Sequence, residues 1–364
     1  MTIADIVSVL ETLAHPSLQE TYDNAGLITG HPSWQCKGVL CSLDVTEAVV
    51  DEAIATGCNM IVAHHPIVFR GLKRINGHNY VERTVIRAIK NDIALYAIHT
   101  NLDNVLHGVS GRMGALLGLQ HTRVLAPREN SLRKLFTYVP HDQAGKLRDA
   151  LFAAGAGHIG KYSECSFSSE GVGTFRAEAG AKPYVGRQGV RHQEPETKIE
   201  VIYPSYFEGQ IVAALRANHP YEEVAFDVVA LANSHAATGA GLLGELPEDM
   251  EEQAFLETIK KTFNLAVIRH TPLRGKKIRQ VALCGGSGSF LISNALKNKA
   301  DIYITADMKY HEFFDADGRI LIADIGHYQS EQFTIALLQE VLEEKFPTFA
   351  VLKTSVNTNP VQYF

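Results

Sequence analysis

The sequence has no apolar run near the ~20 residues that a bilayer-spanning helix requires, and its five cysteines include no Cys-x-x-Cys pair. It also has no basic excess: Lys and Arg number 34 against 40 Asp and Glu, a formal net charge of -6. That balance removes the electrostatic footprint expected for nucleic acid or an anionic membrane surface. Interleaved aromatic and basic residues, as used by single-strand binders, are missing too. The opening residues Met1-Thr2-Ile3-Ala4-Asp5 lack a basic segment and read as the start of an amphipathic helix, not a secretory signal. Cys41 and Cys284 sit inside apolar runs as buried free thiols do. With Cys36, Cys58 and Cys165 they make an odd set, which places the chain in a reducing cytoplasm.

What is present is ample core material. At 364 residues and 46% hydrophobic content the chain is sized for two or three globular domains. Its first part alternates short apolar runs with amphipathic stretches: Gly38–Leu43, then Thr46–Ala55, Asn59–Ala63, Val81–Asn91 and Ile93–Ile98. Strands separated by helices of this length predict βαβ units in a mostly parallel sheet. The last third repeats the pattern. Strands are expected at Arg279–Cys284, Asp301–Thr305, Arg319–Ile325 and Phe349–Lys353, with helices at Phe290–Asn298 and in a long stretch opened by His327.

The middle reads differently. A strand near Lys134–Pro140, a helix over Asp142–Ala154, extended segments around Gly171–Phe175 and Lys198–Ile202, a helix over Ser205–Asn218 and a strand at Ala225–Ala230 give a βαββαβ order. That is the ferredoxin-like motif. The expected organisation is a discontinuous α/β domain, residues 1–129 plus 234–364, interrupted by an α+β insertion at 130–233.

In open α/β sheets, ligands gather beyond the carboxyl ends of the strands. His64 and His65 directly follow one predicted strand, Asp103 lies just after another, and His327 follows a third. Glu331 is four residues past His327, one helical turn on, so the two share a helix face. Imidazole and carboxylate ligands suit Zn, Fe, Ni or Mn. The two oxygens of Glu331 can bridge ions ~3.5–4 Å apart, and such a pair activates water for hydrolysis.

At these residues the sequence resembles the GTP cyclohydrolase 1 type 2-like family, the Nif-three-like dinuclear-metal hexameric proteins. The matching blocks include Asp23-Asn24-Ala25-Gly26-Leu27, Ala63-His64-His65-Pro66, His99-Thr100-Asn101-Leu102-Asp103, Cys284-Gly285-Gly286-Ser287-Gly288-Ser289 and Gly326-His327-Tyr328-Gln329-Ser330-Glu331. The resemblance implies two divalent metal ions per subunit. One would be held by His65 and Asp103, the other by His64 and His327, with Glu331 bridging. It also implies a cytoplasmic, toroidal homohexamer, a nucleotide or similar small-molecule ligand, and ring opening of GTP at C8 as the specific reaction. The insertion is similar to the PII and CutA proteins, with matching blocks Gly171-Val172-Gly173-Thr174-Phe175 and His219-Pro220-Tyr221-Glu222-Glu223. A regulatory or metal-handling hexamer without catalysis is the competing reading.

Other signals are weaker. The loop Gly285–Ser289, with Gly286 and Ser287 at its centre, lies between a predicted strand and helix, where backbone N–H groups can cradle phosphate. It lacks the second glycine of a nucleophile elbow, since Ser289 stands there, and so does not suit a serine hydrolase. Asp307 and His311, four apart in a helix-like stretch, are expected around the substrate or supporting a ligand. His99 is placed to orient Asp103 or simply to fill the strand end, and Tyr328 to contact substrate. The block at His219 is read as a turn ahead of a strand, or as a small-molecule or subunit contact.

Overall fold

A computed structural model describes residues 1–364. It divides into two compact units, Met1–Pro127 with Ala237–Phe364, and Arg128–Ala236. The insertion boundaries therefore fall at 128 and 236, against the expected 130 and 233.

The first unit is mixed α/β and contains two sheets rather than one. The five-stranded sheet has the order Gly26–Thr29, Ala94–Ala97, Met60–Ala63, Val39–Ser42, Val351–Lys353. All its pairings are parallel except that of the outer strand Gly26–Thr29. Its inner strands are buried along their whole length, because both faces are covered. Val39, Cys41, Met60 and Val62 pack on one side with Ile3, Ile6 and Leu338. Leu40, Ile61 and Ala63, one residue out of phase, pack on the other with Val49, Val50 and Ala88. The helices that supply this cover start where the sequence caps them. Thr46 accepts the Val49 N–H at 3.3 Å, and Asn79 accepts that of Glu82 at 3.0 Å, each satisfying a donor the first helical turn leaves free.

The six-stranded sheet runs Arg269–His270, Leu321–Asp324, Ile302–Ala306, Lys277–Ser287, Gly239–Glu251, Gln120–Pro127. Its centre is parallel and follows the same alternation, with Val281, Leu283, Ile302 and Ile304 in one core layer and Ala282, Cys284 and Tyr303 in the other. The long strands Gly239–Glu251 and Gln120–Pro127 add an antiparallel edge. Sequence periodicity did not mark them, because neither carries a clean apolar run. The long helix expected from His327 is broken: His327–Glu331 forms one short helix and Thr334–Lys345 another.

The second unit carries a four-stranded antiparallel sheet, ordered Ser166–Arg176, Arg191–Pro204, Leu132–Pro140, Phe226–Ala230. Helices Ala144–Ala153 and Glu208–Asn218 pack on one face. There Leu135, Val139, Ile199, Val201 and Tyr203 meet Leu147, Leu151, Ile211 and Leu215. All five cysteines are free, and only Cys165 is not fully buried. No helix is long and apolar enough to cross a membrane.

Candidate metal centre

The backbone carries the two histidines into place. His64 N–H donates to the Ser42 carbonyl at 3.3 Å and His65 N–H to Leu43 at 2.9 Å, so the sheet ladder continues past the end of Met60–Ala63. Asp103 ends the single helical turn Thr100–Asp103 that follows the next strand. His327 and Glu331 open and close their own short helix beyond Leu321–Asp324. The five residues thus come from the carboxyl ends of strands in two different sheets, not from one sheet edge.

The orientation of the imidazoles is set by what their Nδ1 atoms touch. His64 Nδ1 donates to the Ile98 carbonyl at 2.8 Å, His65 Nδ1 to Asp44 Oδ1 at 2.8 Å, and His327 Nδ1 to Asp307 Oδ2 at 2.7 Å. A carbonyl or carboxylate oxygen can only accept, so each Nδ1 carries a hydrogen and each Nε2 is the nitrogen turned to the interior. This is how ligating histidines are held: one nitrogen tethered, the other aimed.

All three Nε2 atoms face Glu331. His64 Nε2 lies 3.8 Å from Oε1, while His65 and His327 Nε2 lie 2.9 and 3.0 Å from Oε2. His64 Nε2 is also 3.7 Å from Asp103 Oδ1, and the His65 and His327 Nε2 atoms are 3.3 Å apart. The donor atoms fall into three overlapping groups: His64, Asp103 and Glu331; His65, His327 and Glu331; and His64, His65 and His99. The resemblance implies His65 with Asp103 and His64 with His327; the close approaches in this structure are His64 with Asp103 and His65 with His327. The tether to Ile98 turns His64 toward Asp103, and the tether to Asp44 turns His65 toward His327.

Three buried atoms in this cluster, His64 Nε2, Asp103 Oδ1 and Glu331 Oε2, make no hydrogen bond of acceptable direction. The Glu331 contacts are short in distance but converge without hydrogen-bond angles. Orphaned polar atoms at this depth are costly, and clustering of three calls for a cation. Two ligands each ~2.1 Å from a tetrahedral ion stand ~3.4 Å apart; the spacings of 3.3–3.8 Å lie near this, and the 2.9 and 3.0 Å approaches to Glu331 Oε2 are shorter. The residues present fit a divalent ion in each of the two groups that share Glu331, which offers one oxygen to each.

The electrostatics agree. Burial, then the facing Glu331 charge, pushes the Asp103 carboxyl up to about 7. Burial would raise Glu331 as well, but the close imidazoles of His327, His64 and His65 hold it well below the ordinary glutamate range. Burial works against charge on His65, yet its bond to Asp44 and the adjacent Glu331 carboxylate raise it to about 9. For His327 the bond to Asp307 and the adjacent Glu331 carboxylate overcome burial in the same way and raise it to about 11. A site that binds protons this strongly is a site in which divalent cations compete for the same lone pairs.

The remaining candidates separate. Asp307 supports His327, and it does so from a left-handed backbone conformation (φ +56°), not from a helix. His311 is exposed in the turn Tyr310–Ala316 and stacks on Tyr310 and Phe314, away from the cluster. His99 does not orient Asp103: its Nδ1 bonds Asp23 Oδ1 at 2.7 Å, and its ring packs edge-on against His64 and His65. Tyr328 lines a cavity of about 470 Å³ with His65, His327, Asp307 and Arg269. The glycine loop does not offer itself to phosphate. Its first residues belong to the strand Lys277–Ser287, and Gly285 and Gly286 N–H already donate to Ser110 and Ser330 Oγ. Gly286 (φ +62°) instead makes room for Glu331: a Cβ there would sit 2.2 Å from Oε1. Ser287 is exposed.

Sequence reasoning missed Asp44 and Arg269. Asp44 stands two residues beyond the strand Val39–Ser42, so the strand-end rule that found the histidines applied to it equally. Arg269 sits on a two-residue edge strand, where its guanidinium is held by Asp324 and by the Met308 carbonyl at 2.9 Å; no periodicity marks so short an element.

The chain is similar to a GTP cyclohydrolase 1 type 2 homolog of Halalkalibacterium halodurans, 40% identical with 98% of each chain covered. It is 36% identical to one of Bacillus subtilis, covering 98% of this chain and 97% of that one. Among solved structures it resembles a Bacillus cereus protein related to NIF3, with a TM-score of 0.86, 37% identity, and 100% and 99% of the two chains covered. A Staphylococcus aureus protein, SA1388, superposes with a TM-score of 0.78 at 30% identity, over 100% and 99% of the two chains. The model of the Duf34/NIF3 (NGG1p interacting factor 3) family matches residues 1–360, and the chain belongs to that family.

Proposed function

We propose that the chain binds two divalent ions, of Zn, Fe, Mn or Ni, and uses them to hydrolyse a nucleotide or related phosphorylated heterocycle. The observation that carries this reading is the convergence of three tethered imidazoles on Glu331, with Asp103 beside it. His64, Asp103 and Glu331 Oε1 would hold one ion; His65, His327 and Glu331 Oε2 would hold the other. When bound, such a pair lowers the pKa of a water and offsets the negative charge that develops during hydrolysis.

The chain's own residues supply the rest. Asp44, Asp307 and the Ile98 carbonyl each hold an Nδ1–H and fix the imidazoles in angle with Nε2 turned inward. Arg269, locked on Asp324 at the wall of the adjoining cavity, offers a fixed guanidinium to a phosphate group. Tyr328 on the same wall presents a ring and a hydroxyl to a heterocycle. The names of the curated relatives make GTP the first nucleotide to test. This reading also takes the insertion as a ferredoxin-like module of PII/CutA type, supported by its antiparallel strand order, and the assembly as a toroidal homohexamer.

The test is multiple turnover of metal-loaded protein against GTP and a panel of nucleotides, followed by chromatography of the products. Turnover lost in Glu331→Gln supports the reading. A fully metallated protein that leaves the whole panel unchanged overturns the hydrolase assignment.

A further inference from the structure

The helix-free face of the insertion sheet carries a cavity of about 680 Å³ that the metal centre does not explain. Along Arg191–Pro204, the core takes Ile199, Val201 and Tyr203, so Glu196 and Lys198, in the opposite phase, point to the other face. Tyr138 pairs across from Lys198, Gly171 from Glu196, and Phe175 from His192. The turn 219–225 and the segment 177–184 close over them. Of two blocks that stood out in the sequence, Gly171–Phe175 and the Tyr221–Glu223 part of His219–Glu223 therefore line one cavity.

Three aromatic rings form its wall. Tyr221 lies 6.4 Å from Phe175 and 6.1 Å from Tyr184 between ring centroids, tilted by 55° and 50°. Tyr221 is fixed at both ends. Its N–H donates to His219 Nδ1 at 3.1 Å, and the other nitrogen of that ring donates to the Tyr138 carbonyl at 2.9 Å. Its hydroxyl donates to Glu196 Oε1 at 2.7 Å, which leaves the phenol ring electron-rich.

Glu196 is the second component. It is only 8% exposed, it lines the cavity, and no Lys or Arg pairs with it. Its Oε2 lies over Gly173, where a Cβ would sit 2.1 Å away, so the glycine is what admits the carboxylate. Five glutamates line the cavity against Arg176 and Lys198, and Lys198 is already engaged by Glu200 at 2.8 Å. A buried carboxylate without a cation is expensive, and electron-rich aromatic faces attract cations rather than phosphates.

We propose that this cavity is a binding site for a small organic cation, an alkylammonium or protonated amine, seated on the Phe175, Tyr184 and Tyr221 rings with its charge toward Glu196. An anionic nucleotide is disfavoured by the same carboxylates. The site is independent of the metal centre and of its reaction.

The experiment is calorimetric titration of the full-length protein with tetramethylammonium chloride and with 1,4-diaminobutane, and with ATP as the anionic control. The expected result is saturable binding of at least one cation, unchanged in His64→Ala, and weakened about tenfold in Glu196→Gln. Tyr184 is 52% exposed, so Tyr184→Leu leaves the core intact. It is expected to weaken binding several-fold with thermal unfolding unaltered. The proposal is overturned if neither cation binds, as when a second copy of the chain covers this face. It is overturned equally if both variants bind as the parent does, or if ATP occupies the cavity in place of the amines.

Discussion

His65 and His327, 262 positions apart in the chain, bring their Nε2 atoms to 3.3 Å. Two imidazole nitrogens that close, each with its Nδ1 tied to a carboxylate, either share a proton or share an ion. The shared-ion reading fixes a stoichiometry. Protein purified without chelator is expected to carry two equivalents of divalent metal by elemental analysis, and Glu331→Gln fewer than one, because both groups use its oxygens. Metal removal is expected to lower the unfolding temperature of the first unit by about 5–10 °C per ion. That follows for each ion removed from ~2.7 kcal/mol of linkage at a hundredfold excess over Kd and ~2–4 °C per kcal/mol in a unit of this size, so loss of both ions doubles it. Retention of both ions by Glu331→Gln would refute the shared carboxylate.

Gly286 offers a second test of that carboxylate. Its backbone is left-handed, and an added Cβ would fall 2.2 Å from Glu331 Oε1 and 3.4 Å from His327. Gly286→Ala is therefore expected to cost about 1–2 kcal/mol from the backbone alone. Metal affinity should fall by more than this cost implies, since Glu331 must move. Chemical denaturation and metal titration of the same variant separate the two effects. A variant as unstable as expected but with parental metal affinity would show that Glu331 does not need that space.

How much of this was legible beforehand depended on whether a signal was local. His64, His65 and Asp103 follow apolar runs that are buried on both sides, and such runs are visible as continuous hydrophobic stretches. The His327–Glu331 spacing was equally local. The antiparallel strands Gly239–Glu251 and Gln120–Pro127 were not, because one ends in a charged segment and the other begins exposed. Which ligands approach one another was also hidden. It depends on the Ile98 carbonyl and on Asp44, contacts 34 and 21 positions away, which no spacing rule encodes. His99 likewise found its partner in Asp23, 76 residues off, rather than in nearby Asp103.

That Asp23 contact makes a pH prediction. The Asp23 side chain is fully buried. Burial raises its pKa, but bonds from His99 and Thr100 outweigh this and bring it to about 2. A folded value below the ordinary one means that the stabilisation is present above about pH 4 and is lost as pH falls toward 2. Its size at neutral pH is about 2 kcal/mol. The stability gap between the parent and Asp23→Asn is accordingly expected to be open at pH 7 and to close between pH 4 and 2 in urea titrations. A gap that persists unchanged at pH 2 would mean that Asp23 acts through shape and not charge.

The buried pair Glu252–Arg274 should respond asymmetrically to loss of either partner. Both side chains are more than nine-tenths buried. Glu252 Oε1 accepts from Arg274 Nε at 3.1 Å, while Oε2 accepts the backbone N–H groups of Arg274 and Gly275 at 2.8 and 3.0 Å. Arg274 Nη1 separately donates to the Arg319 carbonyl at 2.6 Å. Removing the carboxylate in Glu252→Ala strands a buried guanidinium together with two backbone donors, and a cost of about 3–5 kcal/mol is expected. Arg274→Ala leaves the carboxylate with its two backbone donors and should cost less, about 2–3 kcal/mol. Equilibrium denaturation of the two single variants gives the order directly. If Arg274→Ala were the more damaging, the packing of the arginine stem, rather than hydrogen bonding by Glu252, would be what holds the segment 274–275 in place.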